Sequence, residues 1–312
     1  MKLIPARLSV VKPSIKRNFD IYAMNKTQPV LILSKNTPLK KGSLLFKHYA
    51  NRIIYIPSEQ LQAYKQLITN SLDDILKDES MPEQHKMYAI YVTFTNQLEM
   101  LMNNKNISIA KNISKNMTKF VGSILNSSSS ISIFLSFIEN NIHNIATHMF
   151  NVGIYSTMLT KILYPDISST QLEKVATGYF MHDIGMIKID KNILQKKDKY
   201  TKKEYEEIKK HPVLGAEILE KELKIKDPNI IKIILEHHER KDGSGYPYGK
   251  KDINRFARIC SMCDIFDAIT SKREYKDNPP ETTFEALKNN KEFFVDEFGK
   301  EFYEAFVLCF KQ

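Results

Sequence analysis

Two periods divide the chain. Over residues 1 to about 57, apolar positions come in short β-prone runs: Ile21-Tyr22, Val30-Leu31-Ile32-Leu33 and Arg52-Ile53-Ile54-Tyr55-Ile56. Turn-formers such as Asn36-Thr37-Pro38 and Lys41-Gly42-Ser43 separate them. From Ser58 the spacing changes to threes and fours, and Leu61, Tyr64, Leu67, Ile68, Leu72 and Ile75 share one helix face. Ser58 is the expected N-cap of that helix. A second helix is expected from Pro82 to about Asn103, and a third from Ile107 to Leu125. Asn126 and the four serines after it read as a linker. Helices are expected over 132–163 (broken near Asn140-Asn141), 169–182, 201–210, 212–221, 228–239, 253–270, 281–289 and 295–310. Loops are expected near 185–200 and 240–252. The fold class is mainly α: a small β-rich domain over 1–57, a helical linker region over 58–130, and an all-helical bundle over 131–312.

Composition narrows the partners. The 312 residues are 42% hydrophobic and 26% charged, which excludes a disordered chain. The net charge of +10 sits wholly in residues 1–125, with 18 basic against 8 acidic residues; the remainder balances at 28 and 28. The lysines are scattered, so a solvated basic surface is expected, with a protein partner of this region left open and no stable nucleic-acid complex. Three cysteines, Cys260, Cys263 and Cys309, make no disulfide framework, and Cys260-Ser261-Met262-Cys263 lacks the second pair of a zinc site. No apolar run approaches the ~20 residues that span a bilayer, and Met1 to Val11 lacks the core of a signal peptide. Reduced thiols and a cytoplasmic location are therefore expected.

The candidate chemistry lies in the helical half. Five of the eight histidines form a series, His148, His182, His211, His237 and His238, with Asp183 beside His182 and Asp264 closing it. The intervals of 34, 29, 26 and 27 residues match one antiparallel helix pair each. The chain can thus return to one place and deliver a ligand each time, as bundle cores do when they build metal sites. Imidazole with carboxylate suits iron, manganese or zinc, and two such ions about 4 Å apart activate phosphate esters. Asp183 is the residue two sites would share. His48, His85 and His143 stand outside the series and are expected to be structural.

Met181-His182-Asp183-Ile184-Gly185 resembles the signature of HD-domain phosphohydrolases. The stretch from His237-His238-Glu239 to Gly243-Ser244-Gly245-Tyr246-Pro247 resembles the second signature of their HD-GYP subfamily, as do Ile208-Lys209-Lys210-His211-Pro212, Asp264-Ile265-Phe266-Asp267-Ala268-Ile269-Thr270-Ser271 and Arg273-Glu274-Tyr275-Lys276. The resemblance covers about 132–310. It implies an HD-type helical bundle around a binuclear site with iron or manganese, and hydrolysis of cyclic di-GMP to linear pGpG and often on to GMP. It also implies ligand sets: His148, His182, Asp183 and Asp264 for one ion, and Asp183, His211, His237 and His238 for the other. His182 and Asp183 are the expected catalytic pair. Tyr246, Asp267, Arg273 and Lys276 match substrate-contacting positions.

Two departures from the pattern stand out. Met186 occupies the place of a lysine expected to touch the scissile phosphate, with Lys188 two residues on as the alternative cation. Asn144 occupies the place of the glutamate that members with three metals carry, so two ions are expected. Two competing functions stay open: a phosphohydrolase of another nucleotide, including a different cyclic dinucleotide, and a weak or inactive cyclic di-GMP receptor. A homodimer also stays open.

Overall fold

A computed structural model describes residues 1–11, 17–40, 43–49, 52–125, 144–196, 198–271 and 281–310. The expected linker at 126–130, His143, Arg273 and Lys276 lie outside the described residues, as does the first part of the helix expected over 132–163. The chain divides into two compact units, Met1–Asn96 and Gln97–Gln312.

The first unit is a four-stranded antiparallel sheet with helices. Strands β1 (Leu3–Arg7), β2 (Ile21–Asn25), β3 (Gln28–Leu33) and β4 (Ile53–Pro57) lie in the order β1-β4-β2-β3. β1 pairs along β4, from Leu3 opposite Pro57 to Arg7 opposite Ile53. Alternation sets the buried face: Ile54 and Ile56 are fully buried while Ile53 is 56% exposed. The unit also holds α1 (Leu44–Tyr49), α2 (Leu61–Lys77) and most of α3 (Glu83–Asn104). The Tyr64 hydroxyl, fully buried on α2, accepts from the Arg7 N–H at 3.1 Å and donates to the Arg7 carbonyl at 3.0 Å. α2 therefore belongs with the sheet rather than with a separate linker. Ser58 does not cap it; the residue opens a short 3₁₀ turn and its hydroxyl bonds Glu59.

The second unit is helical: α4 (Ile107–Leu125), α5 (Ile145–Leu163), α6 (Ser169–Phe180), α7 (Lys191–Leu194), α8 (Lys202–Ile208), α9 (His211–Glu217), α10 (Pro228–Glu236), α11 (Arg255–Thr270), α12 (Thr283–Asn289), α13 (Lys291–Phe298) and α14 (Lys300–Leu308). A 3₁₀ turn spans Ile184–Lys188, and α9 continues as a π-helical turn over Ile218–Leu223. Side-chain caps start the helices where polar residues meet apolar ones, with Ser168, Thr201, Asp227, Asn254 and Thr282 each accepting backbone N–H groups. The single helix expected over 295–310 is two, because Gly299 at φ 96° is a conformation that only glycine takes readily.

α5 is the central helix. Every residue from Ala146 to Thr160 is buried, so it is covered on all sides. Phe150 on it meets Phe180 of α6 and Phe120 of α4, with ring centroids 5.6 and 6.3 Å away. Gly153 lets the Phe180 ring lie against the α5 backbone; a Cβ there would sit 2.6 Å from that ring.

Gly185, in the 3₁₀ turn, is held backbone to backbone against α9: a Cβ would run into the His211 carbonyl and lie 2.6 Å from the Gly215 nitrogen. Nothing lies within 4 Å of a Cβ at Gly122 in α4. Gly185→Ala should therefore lose ~1–3 kcal/mol or more by overpacking. Gly122→Ala should gain ~0.5–1 kcal/mol by helix propensity. Urea unfolding midpoints check both, and an unaffected Gly185→Ala would show that the turn does not pack on α9.

Candidate metal centre

The ends of helices deliver most of the donors. His182 and Asp183 follow the C-terminus of α6, His211 is the first residue of α9, and His237 and His238 follow α10. His148 lies in the first turn of α5 and Asp264 in the middle of α11. All seven side chains come together in two groups, Asp183-His211-His237-His238 and His148-His182-Asp264.

One device orients three of the imidazoles. His182 Nδ1–H donates to the Tyr179 carbonyl at 2.9 Å, His211 to that of Ile208 at 2.8 Å, and His237 to that of Ile234 at 2.8 Å. Each acceptor lies three residues back, in the last turn of a helix, where carbonyls lack helical partners. The proton is thereby fixed on Nδ1 and the Nε2 lone pair faces inward. His148 does the same through a carboxylate: its Nδ1 lies 2.7 Å from Asp267 Oδ2, while Asn151 Nδ2 donates to Oδ1 of the same group at 2.8 Å.

The inward nitrogens then meet in pairs. His148 and His182 Nε2 are 3.3 Å apart, and His211 and His237 Nε2 are 3.2 Å apart. Two lone pairs at such distances repel unless a proton or a cation lies between them. Asp183 joins the groups: Oδ2 is 3.6 Å from both His148 and His182 Nε2, and Oδ1 is 3.1 Å from His211 Nε2 and 3.7 Å from His237 Nε2. Buried Oδ1 has no hydrogen bond, since His211 and His237 keep their protons on the far nitrogen. Asp264 offers Oδ1 to His148 at 3.3 Å and Oδ2 to His238 Nδ1 at 3.8 Å. An orphaned carboxylate oxygen among imidazole lone pairs, with no thiolate in either group, fits hard or borderline divalent cations.

Burial and charge act against each other here. Burial lowers His182 to about 4 and drives His238 well down, so both are neutral donors at neutral pH. Burial also opposes charge on Asp183, but His182 and His211 outweigh it and hold the carboxyl well below its ordinary range. For His148 burial works downward too, yet its bonds to Asp264 and Asp267 win and raise it to about 10. His148 must therefore release a proton before it can hold a cation.

Tyr246 stands at this centre, its ring stacked on His238 with centroids 4.6 Å apart and planes at 26°. Burial pushes its hydroxyl up, so it stays protonated. Its loop is clamped by Glu239, a buried carboxylate that accepts the N–H of Tyr248 at 2.8 Å and of Lys250 at 2.9 Å. Gly245 allows the loop to lie on His238–Arg240, where a Cβ would come 2.5 Å from the Arg240 nitrogen.

Residues 140–296 match the family described as HD domain. The chain belongs to the HD domain family. Its second signature, Tyr246 loop included, resembles that of the HD-GYP branch. It is similar to the cyclic di-GMP phosphodiesterase PA4108 of Pseudomonas aeruginosa, at 33% identity over 132 residues, 42% of this chain and 32% of that one. It is similar to the 3'3'-cGAMP-specific phosphodiesterase 2 of Vibrio cholerae, at 30% identity over 142 residues, 45% of this chain and 27% of that one. The match spans about a third of these relatives' own length. Among solved structures it shares the fold of Bd1817, an HDG"Y"P protein from Bdellovibrio bacteriovorus, with a TM-score of 0.66 at 20% identity over 100% of both chains.

Other site residues of the HD domain read differently in three dimensions. Asp267, expected to contact substrate, is fully buried with both oxygens turned to His148 and Asn151. The spacing held the clue: Asp264 and Asp267, like His148 and Asn151, are three apart on one helix face. Lys188, the alternative cation, pairs with Glu222 at 3.1 Å. Asn144 caps α5, its Oδ1 accepting from Ala146 at 2.9 Å and Thr147 at 3.0 Å. Among the described residues no helix is long and apolar enough to cross a membrane.

Asp267→Asn leaves an amide that can accept one bond but must present N–H to the other partner. Metal affinity should fall about 10- to 100-fold, as for other partners that orient ligating histidines. Competition with a chelating dye measures this, and an unchanged affinity would remove Asp267 from that role.

Proposed function

We propose that this chain is a metal-dependent phosphodiesterase that hydrolyses cyclic di-GMP to linear pGpG, with GMP as the product of a second cleavage. The observation that supports this most is Asp183, whose two oxygens face two separate histidine groups as a carboxylate bridging two cations does. His148, His182, Asp183 and Asp264 would hold one ion, and Asp183, His211, His237 and His238 the other; iron or manganese suits these donors. Bound there, the ions supply water activation and neutralise the charge that develops on the phosphate.

The chain's own residues do the rest. Helix-end carbonyls keep the imidazole protons away from the centre. Tyr246, protonated and half-buried, offers an O–H donor beside His238. Arg273 and Lys276 follow α11 and supply cations for phosphate. Met186, half-buried in the 3₁₀ turn, supplies none. The relative named for 3'3'-cGAMP favours a second reading, in which another cyclic dinucleotide is cleaved at the same centre. A receptor that binds without cleaving would rest on Met186 alone.

Elemental analysis of protein purified without oxygen or chelator should give two metals per chain. A reproducible three would overturn that count, since the Asn144 oxygen is taken by two helix N–H groups. Asp183→Ala should abolish release of pGpG and lower the metal content, whereas Arg273→Ala should raise KM with the metals retained. Full activity in Asp183→Ala would sink the assignment of the whole centre.

A cation placed on the phosphate is worth ~2–4 kcal/mol in the transition state. Met186→Lys should therefore raise kcat or move the product from pGpG toward GMP. Timed chromatography of cyclic di-GMP, pGpG and GMP reads both effects. Identical time courses would mean that Met186 has no part in the rate.

A further inference from the structure

A cation stands at the rim of the centre beside Tyr246. Lys209 lies in the short junction between α8 and α9, two residues before His211. Its Nζ is 4.8 Å from the centroid of the Tyr205 ring and 5.9 Å from that of Tyr246, the ring that stacks on His238. Two aromatic faces thus hold one ammonium next to a ring that covers a metal ligand. Its anionic contact is Glu206 Oε1 at 2.8 Å, on a carboxylate 65% exposed. Such a surface pair is weak and readily exchanged for a stronger anion.

Other cations of the same unit have contacts of their own, none of them recorded over the Tyr246 ring. Lys188 pairs with Glu222 at 3.1 Å and Lys210 with Glu207 at 2.6 Å. Arg240 gives Nη1 to the Glu239 carbonyl at 2.9 Å and to the Ser261 hydroxyl at 2.7 Å. Among the described residues, Lys209 is the cation whose charge lies over the Tyr246 ring.

We propose that Lys209 binds a phosphate of the nucleotide on the His211-His237-His238 side of the centre, with Tyr205 and Tyr246 holding its ammonium in place and Glu206 yielding to the phosphate. Lysine suits this as a point charge on a flexible stem. The proposal rests on the cyclic-dinucleotide reading of the site and adds to it the residue that supplies positive charge where Met186 supplies none.

The test compares the metal-loaded full chain with Lys209→Ala, Lys209→Arg and Lys188→Ala. KM and kcat are measured with cyclic di-GMP, Kd with its slowly hydrolysed phosphorothioate analogue, and metal content and Tm alongside. Lys209→Ala should raise Kd and KM about tenfold, the size of one lost charged contact. Lys209→Arg should restore most of the affinity, and Lys188→Ala should match the parent. A Lys209→Ala protein within about twofold of the parent, well below the loss of one such contact, would overturn the proposal. So would a loss of affinity that tracks loss of metal or a lower Tm, since Lys209 would then act on the fold. An inactive parent that binds no cyclic dinucleotide would fell the functional reading and the proposal with it; an active parent with an indifferent Lys209→Ala fells the proposal alone.

Discussion

The centre depends on one hydrogen bond used three times, from a histidine Nδ1–H to a carbonyl in the last turn of a helix. That bond solves two problems together. A buried helix end has acceptors without partners, and a buried imidazole has to be told which nitrogen keeps its proton. Where α6, α8 and α10 stop, the chain meets both needs with a histidine three residues after the acceptor carbonyl. The ligand series in the sequence is therefore also a series of helix endings, and the donors cannot be moved without reopening those ends. His148 is the exception because it begins a helix. It has no terminal carbonyl to use, and the fold supplies Asp267 from α11 instead.

Burying this many ionisable groups is unfavourable unless their charges are matched. The local balance is uneven between the two groups. Around His148 the carboxylates of Asp264 and Asp267 outweigh burial and keep the imidazole charged. Around His238 burial, with His237 next to it, keeps the imidazole neutral. The two ends of the centre thus differ in protonation although both are built from imidazole and carboxylate. Asp183 sits between them as the shared anion, and its orphaned oxygen is the place where the protein alone leaves the balance incomplete.

Much of this was legible in the sequence. The spacing of Leu61, Tyr64, Ile68, Leu72 and Ile75 gives α2, and the intervals between His148, His182, His211, His237 and Asp264 follow the helix pairs that bring these residues together. The unread parts are of three kinds. β1 contains Pro5 and finds its partner only in β4, some fifty residues away, so no local period marks it. The break at Gly299 is one residue in an otherwise helical pattern. Asp267 shares a residue type and a motif with Asp264, and only the fold shows that one faces the centre while the other braces His148 from behind.

Asn144 carries a consequence for how such a protein can change over evolutionary time. Its side chain holds the N–H groups of Ala146 and Thr147 in the first turn of α5, with Thr147 bonding back to the Asn144 N–H at 2.8 Å. The same helix delivers His148 one turn later. A glutamate here would be a poorer cap than asparagine, so a lineage acquiring an acidic ligand at this position would loosen the turn that aims an existing one. Asparagine and glutamate are thus not neutral replacements for one another here, because the fold already uses this side chain to hold its own backbone.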